Sequence, residues 1–203
     1  MRLTAQNVSL ERGGRLLLSQ LSFALEAGEA LVVTGPNGAG KSSLLRAIAG
    51  FLPVSGGAIA WEGLRDDEAA EEQLHYVGHS DALKGALTAA ENLEFWAGML
   101  GGARGGAVAA LTRLGLAHVA DLPVRALSAG QKRRVALARL LVARRSVWLL
   151  DEPTTALDAT AQTRFADIAR AHLRDGGLVI AATHAPLGLE APRTLDLTAA
   201  RGR

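Results

Sequence analysis

The clearest chemistry in the 203-residue chain lies in the run Gly35-Pro36-Asn37-Gly38-Ala39-Gly40-Lys41-Ser42, followed by Ser43. The pattern is Gly-x-x-x-x-Gly-Lys-Ser, which suits a loop that cradles phosphates. Gly35, Gly38 and Gly40 open backbone conformations closed to other residues, so the loop amides can turn inward onto phosphate oxygens. A helix opening directly after the loop adds the positive end of its dipole. In such a loop Lys41 reaches the β- and γ-phosphates and the Ser42 hydroxyl holds Mg²⁺. The motif by itself implies a nucleoside triphosphate and leaves kinases, GTPases, helicases and transport ATPases open.

The flanking residues supply the context this loop requires. Ala30–Thr34 (ALVVT) is a short apolar run suited to a strand buried on both faces. Residues 42–49 place apolar side chains at 44, 45 and 48, a helical spacing. Upstream, residues 2–10 and 16–25 read as antiparallel strands around a Gly-containing turn at 11–15, and 26–29 is a second turn. Residues 53–57 break the helix and 58–62 read as another strand. The acidic stretch 66–72 reads as a solvated loop or helix face. Thr88 and Glu91 have capping-box spacing and should open a helix. The chain is then helical to about 116, with a break at 101–106, and helical again at 135–142. Residues 147–150 and 178–183 are further buried strands, with an amphipathic helix at 161–174 between them. Strands alternating with helices predict an α/β fold with a P-loop NTPase core. Its sheet is expected to be mixed and mainly parallel, flanked by helices, with antiparallel strands at the N-terminus. The chain is expected to form a single domain, 1–203, with a helical subdomain inserted at about 82–145.

Four pieces follow one another with regular spacing. The loop comes first, then Leu127-Ser128-Ala129-Gly130-Gln131. Asp151-Glu152 closes the run VWLL and leads into PTTALD, ending at Asp158; Thr183-His184 follows the next strand. Asp151 lies 110 residues after Lys41, Ser128 lies 23 before Asp151, and His184 lies 32 after Glu152. In this order the chain resembles the ATP-binding subunits of ABC transporters over residues 3–198. Ala129 stands where that family's signature has glycine. A strand of four apolar residues delivers Asp151 beside the phosphates as a Mg²⁺ partner, and Glu152 to a place where it can polarise the attacking water. The alternative is a solvated acidic pair. The resemblance implies that His184 contacts the γ-phosphate; otherwise it is an ordinary histidine at a strand end. Ser128 is expected to cap the next helix. The resemblance adds that Ser128, Ala129, Gly130 and Gln131 complete the ATP site of a second copy, in a head-to-tail homodimer formed on ATP binding. Asp158 then lies at the seam. Lys41, Glu152 and His184 are the expected catalytic residues.

Two positions depart from the general family pattern. His79, after Tyr76-Val77-Gly78, stands where most members have glutamine. The Glu11-Arg12-Gly13-Gly14 turn holds no aromatic residue to stack on adenine, and Arg12 is the candidate substitute, because a guanidinium plane can stack on a base. A solvated turn arginine and a surface histidine are the plain alternatives. Gly78-His79, the segment Leu87-Thr88 to Glu91-Asn92-Leu93, and the run from Leu127 to Arg139 resemble a narrower family, the ATP-binding subunits of the cytochrome c maturation (haem exporter) transporters. That resemblance implies an ATPase docked on an integral membrane B-type subunit, peripheral at the cytoplasmic side of the inner membrane. Its ATP energy serves haem export or delivery; release of a haem-loaded chaperone fits equally. An ABC ATPase for another substrate, or a soluble ABC-type clamp, are the competing functions. The docking surface is expected on the insert and around His79. Phe95 and Trp96 read as core, with docking the alternative. His75, His118 and His172 read as surface residues, so no direct haem binding is expected.

Composition agrees. With 49% apolar residues a chain of this length can hold a core without staples. The lack of cysteine excludes disulfides, thiolate metal sites and cysteine nucleophiles. No apolar run approaches the roughly 18 residues of a spanning helix, and the first residues form no apolar signal core. The chain is therefore expected neither to cross a membrane nor to enter the secretory route by itself. A net charge of +2, from 22 basic and 20 acidic residues, makes no basic stripe, so no nucleic-acid partner is expected.

Overall fold

The computed structural model describes residues 1–64 and 69–198. Of the acidic stretch 66–72, residues 66–68 lie outside them. Chain order is β1 (Arg2–Arg12), β2 (Arg15–Glu26), β3 (Ala30–Thr34), α1 (Lys41–Ile48), β4 (Gly56–Glu62), β5 (Leu74–Val77), α2 (Ala89–Met99), α3 (Ala107–Arg113), α4 (Ala129–Val142), β6 (Val147–Asp151), α5 (Ala159–Arg174), β7 (Leu178–Ala182) and β8 (Arg193–Asp196). The fold is α/β.

The strands divide between two sheets. One has three strands in the order β2-β1-β4, all antiparallel; the other has five in the order β5-β6-β7-β3-β8, all parallel. The antiparallel strands thus form a layer of their own, not an edge of the parallel sheet. The turn between β1 and β2 is only Gly13-Gly14, with φ of 58° and 74°. Two left-handed residues match the twist of a hairpin, which two glycines allow at no steric cost. The turn is tighter than the 11–15 span, and it puts Arg12 at the hairpin tip, paired with Arg15.

The apolar runs are explained by burial on both faces. In β6, Val147 and Leu149 join one core cluster, while Trp148 and Leu150 join the other. In β7, Leu178, Ile180 and Ala182 point one way and Val179 and Ala181 the other. Side chains alternate with period two, so a strand covered on both sides must be apolar at every position. One cluster lies between the parallel sheet, α1 and the antiparallel sheet; the other gathers α2, α3, α4 and α5. Burying one leucine or isoleucine side chain in such a cluster stabilises by about 2 kcal/mol.

The starts of α2, α4 and α5 are marked by side chains. Thr88 caps α2 through a complete capping box with Glu91. Ser128 caps α4 the same way with Gln131, so α4 begins six residues before the apolar run at 135–142. Asp158 accepts the N–H of Ala161 at 2.8 Å and caps α5. A lost cap of this kind costs about 1 kcal/mol.

Three expectations need correction. His75 is 2% exposed, with its ring Nε2 2.8 Å from the Ala143 carbonyl. His172 is half-buried and stacks on Trp148, ring centroids 3.8 Å apart and planes within 5°. Neither is a surface residue; only His118 is exposed among the three. Burial in an apolar layer disfavours the charged ring, lowering the His75 pKa to about 3 and that of His172 to about 4. Phe95 is not core: it is 37% exposed, with the Lys84 ammonium 4.0 Å above its ring. Trp96 is half-buried, its indole N–H donating to the Ala82 carbonyl at 3.2 Å and the Arg139 guanidinium 4.3 Å from its ring.

Candidate functional site

The loop 35–42 leaves the C-terminal end of β3 and enters α1. Gly35, Gly38 and Gly40 have φ of 134°, 77° and 98°. A Cβ on Gly40 would also meet Leu18 of β2 at 3.2 Å, so the antiparallel sheet packs directly against the loop. No side chain caps α1 and no acidic residue sits in its first turn. Its first amides stay available to an anion, and nothing cancels the positive helix end.

Lys41 is 8% exposed. Its ammonium donates to the Gly35 carbonyl at 2.7 Å and to the Pro36 carbonyl at 3.4 Å, and lies 2.9 Å from His184 Nε2. A charged lysine only donates, so Nε2 accepts there and the imidazole proton sits on Nδ1. His184 itself is exposed. It follows Thr183, whose hydroxyl accepts the N–H of Ala185 at 3.0 Å and turns the chain at the end of β7.

Asp151 ends β6 and is 4% exposed; Glu152 follows with φ of 47°. A left-handed glutamate costs on the order of 1 kcal/mol, so its surroundings must hold it there. They do: its N–H donates to the Ala182 carbonyl at 2.8 Å, and Arg133 binds its own carbonyl at 2.9 Å.

These groups meet at one cavity of about 440 Å³, walled by Arg12, Leu17, Asn37, Gly38, Ala39, Gly40, Lys41, Ser42, Ser43, His79, Asp151 and Glu152. Gly35, Pro36 and His184 join it only through Lys41. Ser128, Ala129, Gly130, Gln131 and Asp158 do not line it. Ser128, Ala129 and Asp158 are exposed instead. Gly130 packs against the turn after Glu152, where a Cβ would lie 2.6 Å from the Ala156 carbonyl. Ala129, which stands where the family signature has glycine, is exposed.

Two residues were not anticipated. Leu17 is on the cavity wall beside Arg12; nothing in its sequence context separates it from the neighbouring strand leucines. Arg133 is 5% exposed and underlies Asp151 and Glu152. It occupies the same helical stripe as the buried Ala136, Leu137 and Leu140, a spacing that signals burial.

A second, mainly apolar cavity of about 440 Å³ lies alongside, lined by Phe51, Tyr76, His79, Trp96, Leu100 and Arg139 among others. His79 lines both cavities.

The ABC transporter family model matches residues 18–155. The chain is 54% identical over 191 residues to the cytochrome c biogenesis ATP-binding export protein CcmA of Nitrobacter winogradskyi, covering 94% of this chain and 96% of that protein. It is 52% identical over 202 residues to the protein of the same name from Chelativorans, covering 98% and 99%. A Pyrococcus furiosus protein described as an ABC transporter ATP-binding protein has the same fold, with a TM-score of 0.86 at 21% identity over the full length of both chains. A bacterial Atm1-family ABC exporter with ATP bound matches 98% of this chain to 37% of its own, with a TM-score of 0.84 and 27% identity. With a family match over more than half its length and relatives more than half identical along nearly all of it, the chain belongs to the ABC transporter ATP-binding proteins, and among them to the cytochrome c biogenesis ATP-binding export proteins.

Proposed function

We propose that the chain is the ATP-hydrolysing motor of a transporter serving c-type cytochrome biogenesis. The observation that carries this is the convergence of Lys41, Ser42, Asp151 and Glu152 on one cavity at the C-terminal ends of β3 and β6. The loop amides and Lys41 take the phosphates, so Lys41 exchanges its loop carbonyls for phosphate oxygens. Glu152 orients water and accepts its proton as the water oxygen attacks the γ-phosphorus and the bond to the β-phosphate oxygen breaks. His184 steadies the γ-phosphate once Lys41 turns to the phosphates and Nε2 carries a proton, because phosphate oxygens only accept and Nε2 must then donate.

Mg²⁺ suits the donors present. Asp151 and Ser42 offer hard oxygens on one wall. Among the described residues no cluster of three acidic, histidine or cysteine side chains could hold an ion unaided. Mg²⁺ is commonly held this way, by one or two protein oxygens with phosphates and water. When bound, the ion neutralises charge on the phosphates.

Arg12 and Leu17 form the rim left for the base, with Arg12 stacking on it. The exposure of Ser128, Ala129 and Asp158, away from their own cavity, supports a head-to-tail homodimer in which they face the partner's ATP. The second cavity, with Phe51 64% and Met99 66% exposed close to its rim elements, supports docking of a membrane subunit there. Residues 82–145 then act as a helical subdomain, and His79 couples docking to the nucleotide. No helix of the described residues is long and apolar enough to cross a membrane. A peripheral place at the cytoplasmic face of the inner membrane follows from docking. His75 and His172 are engaged inside the fold, which supports the reading that this chain does not bind haem directly.

The test is ATP turnover and nucleotide binding by the chain co-purified with its membrane subunit. Lys41→Ala should lose both; Glu152→Gln should lose turnover by about a hundredfold or more while still binding ATP. Wild-type turnover by either variant contradicts the reading.

A further inference from the structure

We propose that Arg133 is a positioning residue for hydrolysis, tying the turn that bears Glu152 to the segment that bears His79. The inference rests on Glu152 acting as the base. Arg133 lies on α4, a little over one turn past the Ser128 cap, yet its side chain is buried against the backbone of residues 151–153. Its Nε–H donates to the Pro153 carbonyl at 3.2 Å. One terminal nitrogen donates to the Asp151 and Glu152 carbonyls at 2.6 and 2.9 Å. The other donates to the Gly78 carbonyl at 2.9 Å and to Asp81 Oδ1 at 3.0 Å.

A guanidinium has five N–H groups, and each finds an acceptor here. Four of the five acceptors are neutral carbonyls, so this is a set of aimed bonds more than an ion pair. Three of them belong to consecutive residues, 151–153, at the left-handed Glu152. Their carbonyl directions fix the turn from which the Glu152 side chain reaches the cavity. The remaining two belong to the segment 78–81, on either side of His79. Arg139, six residues further along α4, adds a bond from its guanidinium to the Tyr76 carbonyl at 2.9 Å. Helix α4 therefore grips the whole stretch 76–81. A displacement of that stretch, as by a partner in the apolar cavity, must pull on Arg133 and so on the Glu152 turn. Lysine cannot substitute, because its three donors radiate from one point and cannot span acceptors on three sides.

The experiment uses the full chain with its membrane subunit and reads kcat, the KM for ATP and the melting temperature. Arg133→Lys should lower kcat about tenfold or more with KM within about twofold, because the phosphate loop is untouched. Asp81→Asn keeps the four carbonyl bonds and should lower kcat about two- to fivefold. In a Glu152→Gln background Arg133→Lys should cause no further loss, since the base it positions is gone. Wild-type kcat in Arg133→Lys, or KM rising as much as kcat falls, overturns the proposal in favour of a purely structural arginine. If Arg133→Lys does not fold, wild-type kcat in Asp81→Asn overturns it alone. A Glu152→Gln variant that turns over normally instead overturns the base assignment, a separate result.

Discussion

Histidines stand near both ends of the parallel sheet, and their surroundings there are opposite. At the C-terminal ends of the strands, His184 and His79 are exposed, beside a lysine and two carboxylates. Towards the N-terminal ends, His75 and His172 are turned inward, one on the Ala143 carbonyl and one flat on Trp148. The first pair stands where a charged ligand can be met. The second fills space as neutral rings whose protonation burial resists. The same side chain is thus open to solvent at one end and packing at the other, and its environment decides which.

Substitutions can break this contrast. His184→Ala should leave the melting temperature within a few degrees and lower kcat by about a hundredfold, an effect near 3 kcal/mol. His172→Ala should do the reverse: thermal unfolding should register a loss of about 2 kcal/mol from the vacated stack on Trp148, with kcat per folded molecule unchanged. A fall in kcat without destabilisation for His172→Ala would erase the distinction.

Acid sharpens it. His75 and His172 have folded pKa values of about 3 and 4 against 6.5 when free, so between these limits the unfolded chain binds more protons. Stability from these rings is therefore full above about pH 6.5 and falls as pH drops towards 4, by about 1 kcal/mol per pH unit for each ring. Urea midpoints measured from pH 7 to pH 4.5 should fall steeply, and His172→Leu should flatten the slope. The smallest effect belongs to the hairpin tip. Arg12→Ala should raise the KM for ATP only about two- to fivefold, a loss near 1 kcal/mol, because the triphosphate contacts remain. Nucleotide titration would check it.

The sequence and structure agree where a local rule governs. Three apolar runs became the central strands because burial on both faces leaves no polar position. Gly35, Gly38 and Gly40 took left-handed conformations, and Thr88 and Ser128 closed capping boxes with partners three residues on. What stayed hidden depends on distant contacts. β5 and β8 have four residues each and lie at the sheet edges, too short for periodicity to separate them from loops. His75 is buried by a carbonyl 68 residues away. Arg133 sits in a Lys-Arg-Arg run that looks solvated, and only its place in the helical stripe hints otherwise. The Ser128 region is legible as a helix cap, while the role proposed for its exposed face needs a second copy that no local rule can supply.

That second copy is the centre of the functional reading. The most direct measurement is light scattering of Glu152→Gln with and without saturating ATP, alongside its turnover. The expected result is a monomer without ATP and a stable dimer with it, with hydrolysis reduced by about a hundredfold or more. Turnover at the wild-type rate, or a monomer that holds ATP, would contradict it.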